Sequence, residues 1–318
     1  MTRRLLGREA VALLLVSFGF GLLLAAGWAP GARGSEAWEP SPGASRAPFE
    51  LSVLSYNTHG LRGIFVEDDP AARFPAIGRL INGYDVVLLQ EDFAYHRSIE
   101  AFATHAIRRR GNSQDRNPIA DLLAPIVCGD CGAGLSTLID LGESSLIGEH
   151  REAYQDYSGW FDARKDGWVT KGLLALRVRL PNGAVVDVYN SHLDAGKKPK
   201  RVRDHRTRER QLAQLERAIR GFSGTGAVIL AGDFNAREDR RNPSLEALVA
   251  ALGLRESGAR TDSDRWRPRC EYIFYRGDAR TEISLVESGE AGEFEDESGK
   301  PLSDHPAIRA RFAIRARR

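Results

Sequence analysis

Short apolar runs separated by polar segments recur along most of this chain. After a lead-in at Leu51, Val53 and Leu54 they fall at 86–89, 135–139, 173–178, 185–189, 228–231, 272–274, 283–286 and 308–314. The runs are rich in Val, Ile, Leu and aromatic residues, which suits short strands of a mixed sheet. Between them the apolar positions change to helical spacing, most clearly at Leu212, Leu215, Ile219 and Phe222 and again at Leu245, Leu248, Val249 and Leu252. Strands alternating with helices, with no internal repeat, predict an α/β layered fold.

The first 29 residues follow a different rule. Arg3, Arg4 and Arg8 precede an uncharged stretch over 10–29 rich in Leu, Val and Phe, the layout of a signal peptide or of an N-terminal membrane anchor. Ala25-Ala26-Gly27 offers small residues for cleavage, whereas the length of the stretch suits retention as a span. Both readings place the rest of the chain outside the cytoplasm, secreted or tethered to the membrane, with the basic flank inside. Residues 30–48 are dominated by Pro, Gly, Ala and Ser and read as a flexible linker, which leaves 49–318 as the folded domain.

Chemistry concentrates where the apolar runs stop. Ser55-Tyr56-Asn57-Thr58, Leu89-Gln90-Glu91, Asn190-Ser191-His192-Leu193-Asp194 and Gly232-Asp233-Phe234-Asn235 each close a predicted strand, and Ser303-Asp304-His305-Pro306 precedes the last one. Carboxylates and carboxamides hold a hard, oxygen-seeking cation, and histidines move protons; metal-assisted cleavage of a phosphate ester needs both. Glu91 emerges from the end of a buried run, a good position for a cation ligand. Asp233 and Asn235 flank Phe234, so strand alternation predicts both polar groups on one side and Phe234 in the core.

With these five segments the chain resembles the endonuclease/exonuclease/phosphatase superfamily over roughly residues 49–313. Within it, His192-Leu193-Asp194-Ala195-Gly196, Gly132-Ala133-Gly134-Leu135 and Lys171-Gly172-Leu173-Leu174 are similar to bacterial neutral sphingomyelinase-like proteins. The resemblance implies a four-layer α/β sandwich of two packed mixed β-sheets flanked by helices. It implies a magnesium-dependent phosphodiesterase or phosphatase, with manganese as a substitute ion. It places Asn57 and Glu91 at the metal, Asp304 at a second metal or at the attacking water, Asp233 as the group that activates the water, and Asn235 and His305 on the phosphoryl oxygens. His192, where abasic-site endonucleases usually carry tyrosine, then stands beside the leaving oxygen. The family steadies the last histidine with an aspartate in the pattern Arg, apolar, Asp, Tyr. Here that stretch is Arg269-Cys270-Glu271-Tyr272, so Glu271 is expected to reach His305 with one methylene more.

The implied substrate is a sphingomyelin-like phosphodiester lipid. An extracellular endonuclease, a phosphoinositide-type phosphatase and a catalytically inactive binding module are the alternatives. Against the lipid reading, secreted sphingomyelinases often carry an exposed aromatic hairpin before the Asp-Tyr strand, whereas 260–269 is short and charged, with Trp266 its one large apolar residue.

Charge and cysteine usage narrow this only a little. The 318 residues carry 45 basic and 43 acidic side chains for a net charge of +2, so no global positive field directs the chain to nucleic acid. Two local basic runs remain, Arg108-Arg109-Arg110 and the series Lys197, Lys198, Lys200, Arg201, Arg203, Arg206, Arg208 and Arg210. Such runs meet lipid head groups or a nucleic-acid backbone, or are simply a solvated loop and helix start. Cys128 and Cys131 frame Gly129-Asp130 as a short disulfide or two free thiols, and Cys270 does not complete a zinc site. Nothing in the sequence indicates a protein partner, and a monomer is expected.

Overall fold

The computed structural model describes residues 47–61, 69–113, 132–157, 169–195, 201–237, 242–258 and 269–317, all within one compact unit, Pro40–Arg318. The N-terminal signal or anchor segment, the linker up to residue 46, Cys128 and Cys131, Lys197, Lys198 and Lys200, and most of the 260–269 stretch lie outside the described residues. Among the described residues no helix is long and apolar enough to cross a membrane.

Two six-stranded sheets form the centre. The first contains, in spatial order, β11 (Thr281–Glu290), β12 (Ile308–Ala316), β1 (Phe49–Asn57), β2 (Val86–Gln90), β4 (Ser136–Ile139) and β3 (Ile107–Arg110). The second contains β5 (Leu146–Ala153), β6 (Gly172–Arg179), β7 (Val185–His192), β8 (Val228–Asp233), β10 (Glu271–Arg276) and β9 (Arg255–Glu256). Each sheet is antiparallel except at one pair, β1 with β2 and β7 with β8.

The facing sheets bury Leu51, Val53, Val86, Leu88, Leu174, Leu176, Val188, Ile229 and Phe312 between them. Outside the first sheet, α1 (Pro70–Leu80) and α2 (His96–Glu100) pack Phe74, Ile77 and Ile99 against Leu54, Val87 and Leu89. Outside the second, α3 (Arg201–Ser223) and α4 (Pro243–Ala251) bring Leu215, Ile219 and Leu248 onto Leu230 and Phe234. The order of layers is helix, sheet, sheet, helix. Central strands are therefore covered on both faces, which is why they are continuous apolar runs in sequence. Both α1 and α4 begin with a capping side chain followed by proline. Asp69 accepts from Ala71 N and Ala72 N, and Asn242 accepts from Leu245 N.

Two edge strands escape the apolar pattern. β5 alternates between half-buried and exposed positions along its length. β3 is the Arg108-Arg109-Arg110 run itself, and its guanidinium groups are used within the chain. Arg108 donates to the carbonyls of Glu100, Ala103 and His105, Arg109 pairs with Glu143 and Glu149, and Arg110 donates to Asp92 O. In α3, Arg208 is buried and donates to Asp194 O, and Arg210 pairs with Asp156.

Candidate active site

Both parallel strand pairs end at the same place. In the first sheet Asn57 stands opposite Gln90, the residue before Glu91. In the second, His192 stands opposite Asp233, which in turn faces Glu271 on the neighbouring antiparallel strand. The carboxyl ends of parallel strands are where layered α/β proteins leave a crevice for ligands. Beneath it a buried amide clamp joins the sheets. Asn190 Nδ2 donates to Leu89 O at 2.9 Å and Ser136 O at 3.0 Å, while its Oδ1 accepts from Gln90 Nε2 at 2.9 Å.

On this floor Asn57 Nδ2 donates to Asp233 Oδ2 at 3.0 Å and to Glu91 Oε1 at 3.3 Å. His192 Nε2 lies 3.5 Å from Asp233 Oδ2 and 3.8 Å from Glu91 Oε1. His305 Nδ1 donates to Glu271 Oε1 and lies 3.9 Å from Asp233 Oδ2. Asp304 is half-exposed at the rim, with Oδ1 3.8 Å from His305 Nε2. Asn57, Glu91, His192, Asp233, Glu271 and His305 therefore form one connected cluster, and Asp304 borders it.

Asn235 departs from the expected geometry. β8 stops at Asp233, and although Phe234 is fully buried as alternation requires, Asn235 turns into a left-handed conformation with φ 48°. Its backbone N–H donates to Asp233 Oδ1 and its Nδ2 to Leu193 O, both at 2.8 Å. The turn, rather than strand alternation, brings it beside Asp233. His59 at φ 50° and Glu91 at φ 52° share this conformation, so the positive-φ residues other than glycine, among those described, all belong to this region. Such backbone persists only where surrounding contacts over-determine it, and it clusters at functional sites. At Glu91 the contact is Gly60, whose N–H donates to Glu91 O at 2.9 Å and where a Cβ would stand 2.4 Å from that oxygen.

Electrostatics separate the charges clearly. Burial works to raise the Glu91 carboxyl, but Lys171, His192, His59 and His305 outweigh it and hold it at about 2. Burial opposes ionisation of Asp233 as well. The hydrogen bond and charge of His192, the charge of His305 and the Asn235 N–H nevertheless keep it well below the usual carboxylate range. His305 goes the other way. Against burial, Glu271, Asp233 and Asp304 raise it to about 10, so it is an imidazolium at neutral pH.

Two neighbours of the cluster were not singled out from the sequence as site residues. Lys171 is buried, with Nζ 2.8 Å from His192 Nε2. Its sequence signal is its position one residue before Gly172, which pairs with His192 across β6 and β7. His59 follows Asn57 by two residues and stands 3.2 Å from Asp304; only the left-handed turn reveals it.

The donor set suits a divalent cation at Glu91. The carboxylate is ionised; the Asn57 amide N–H donates to it, and the Asn57 oxygen, the atom of that side chain able to take a cation, accepts from His59 N. Donor atoms of Asp233, Glu271 and His305 also lie within 4.8 Å of one another. There, however, Glu271 already engages His305 Nδ1, and the ring carries a proton, so that group is better described as an imidazolium held between carboxylates.

Residues 54–305 match the Endonuclease/Exonuclease/phosphatase family. The chain belongs to this family. Sphingomyelinase from Mycobacterium bovis is 31% identical over 278 residues, covering 81% of this chain and 52% of the relative. The chain thus spans about half the length of the curated relatives it matches first. Sphingomyelinase C from Streptomyces griseocarneus superimposes with a TM-score of 0.60 at 19% identity, covering 82% of this chain and 98% of that one. A Staphylococcus aureus beta toxin mutant with bound magnesium ions gives 0.62 at 14% identity, covering 82% and 99%. These likenesses concern the fold, two mixed sheets packed in an α/β sandwich.

Proposed function

We propose that this chain is a divalent-cation-dependent phosphodiesterase that hydrolyses a sphingomyelin-like phosphodiester lipid in phospholipase C fashion. The observation that carries the proposal is the ionised, buried Asp233 carboxylate, which has Asn57, His192 and His305 within 3.9 Å and Glu91 on the far side of Asn57.

Asp233 orients a water and takes its proton as the water oxygen attacks phosphorus. The bond from phosphorus to the lipid oxygen breaks on the opposite side, and His192 Nε2 supplies the proton that oxygen needs. His305, protonated and steadied by Glu271, donates to a phosphoryl oxygen as its negative charge grows, and Asn235 assists there. Glu91 would hold a magnesium ion, with Asn57 able to join only through its Oδ1; when bound, the ion neutralises phosphoryl charge and polarises water.

The 31% identity to a sphingomyelinase favours the lipid. The internal use of Arg108, Arg109, Arg110, Arg208 and Arg210 weakens the nuclease alternative, because these guanidinium groups are not gathered into a free phosphate-binding track. The N-terminal apolar segment supports a secreted or membrane-anchored protein acting on an outer lipid surface.

The deciding experiment presents the full chain, with magnesium or with chelator, to sphingomyelin vesicles, phosphoinositide vesicles and plasmid DNA in parallel. Magnesium-dependent release of phosphocholine is expected. Plasmid nicking that falls steeply with salt, without lipid hydrolysis, would replace the lipid reading with the nuclease one.

A further inference from the structure

His59 and Asp304 present a nitrogen and an oxygen at the rim of the cleft, 3.2 Å apart, from loops distant in sequence. Despite that separation no hydrogen bond joins them, and His59 Nδ1 is a buried atom without a hydrogen-bond partner. The two donors are close without pointing at each other. Two ligands bonded to a common ion at about 2.1 Å and at right angles stand about 3.0 Å apart, near the separation observed.

The position of the ring is imposed by the backbone. His59 N donates to Asn57 Oδ1 at 3.0 Å, its carbonyl accepts from Arg73, and its φ is 50°. Arg73, itself buried, also donates to Thr58 O and, at 2.9 Å, to Leu302 O. One guanidinium thus fastens the loop carrying His59 to the loop carrying Asp304. The strain at His59 has no role in the hydrolytic steps described above. It does set an imidazole beside the Asp304 carboxylate at the rim of the site.

We propose that His59 and Asp304 form a mixed nitrogen and oxygen cation subsite beside Glu91, selecting manganese, cobalt or zinc over magnesium. An imidazole ligand shifts preference from hard oxygen-seeking ions toward first-row transition metals. The inference takes its location from the reading of Glu91 as a cation ligand but has an independent readout.

The test is manganese binding to the full chain, followed by titration and by pulsed electron paramagnetic resonance. Wild type is expected to show nitrogen coupling to bound manganese. His59→Asn, chosen because asparagine tolerates the left-handed backbone, should abolish that coupling and lower the preference for manganese over magnesium by about tenfold or more. Nitrogen coupling that survives in His59→Asn, or oxygen-only coupling in wild type, overturns the subsite and leaves a simple ion pair. Should the variant fail to fold, anomalous scattering from manganese-soaked wild-type crystals decides: an ion bonded to both His59 Nδ1 and Asp304 is expected, and an ion at Glu91 with none there refutes it. Glu91→Gln run in parallel keeps the two ideas apart, since its turnover tests the phosphodiesterase reading and its nitrogen coupling tests only the subsite.

Discussion

The Asn57 carboxamide donates to Asp233 Oδ2 at 3.0 Å, joining β1 of one sheet to β8 of the other across 176 positions of sequence. The same nitrogen also reaches Glu91, so one amide sets the spacing between the proposed cation ligand and the proposed water-orienting group. Asn57→Ala removes that donor and leaves buried carboxylate oxygens less satisfied. A loss of about 1–3 kcal/mol in unfolding free energy is expected, with a fall of roughly a hundredfold in kcat from misplacement of the reacting groups. Thermal unfolding and turnover at saturating magnesium measure both. Wild-type values for the two together would make the contact idle.

Glu91→Gln keeps the shape of the side chain and removes its charge. Magnesium affinity and turnover should fall together by roughly two to three orders of magnitude, since the ion neutralises the phosphoryl group, while the circular dichroism spectrum stays as in wild type. Full activity at limiting magnesium would remove Glu91 from the cation site.

Glu271 and His305 predict a pH dependence. Although burial disfavours its charge, His305 is raised to about 10 by Glu271 first among the raising groups. Raised in the fold above its ordinary value of about 6.5, it contributes stability that is complete below that value and is lost as pH rises through about 10. Glu271→Gln lowers the folded-state value. The alkaline limb of the pH–rate profile, which reports loss of the imidazolium, should therefore move to lower pH, and the alkaline loss of stability should move with it. A limb unmoved in Glu271→Gln would show that His305 does not act as the charged donor.

Gly232 precedes Asp233 with φ 151°, and a Cβ there would stand 1.8 Å from Ser191 O on the paired strand β7. Gly232→Ala must push β7 and β8 apart where His192 and Asp233 meet. We expect a loss of more than about 3 kcal/mol in denaturant unfolding, as for other strongly strained substitutions, and loss of activity in whatever fraction remains folded. A variant as stable as wild type would mean that the strands separate there at little cost.

Periodicity alone was enough to identify the central strands, because a strand covered on both faces must be apolar throughout and announces its end with a polar residue. Asn57, Glu91, His192, Asp233 and His305 were visible for that reason, each a polar residue at or near a strand end. Edge strands β3 and β5 were hidden because half-exposed positions accept arginine and glutamate. The arginines of β3, legible only as a basic run, proved to be bound to carbonyls and carboxylates of their own domain. The placement of Lys171 against His192, the left-handed turns at His59, Glu91 and Asn235, and the meeting of Asn57 with Asp233 were decided by tertiary structure. Local pattern determines which face of an element is buried, whereas these contacts depend on sheet register and on how two sheets stack, which are set by residues far apart in the chain.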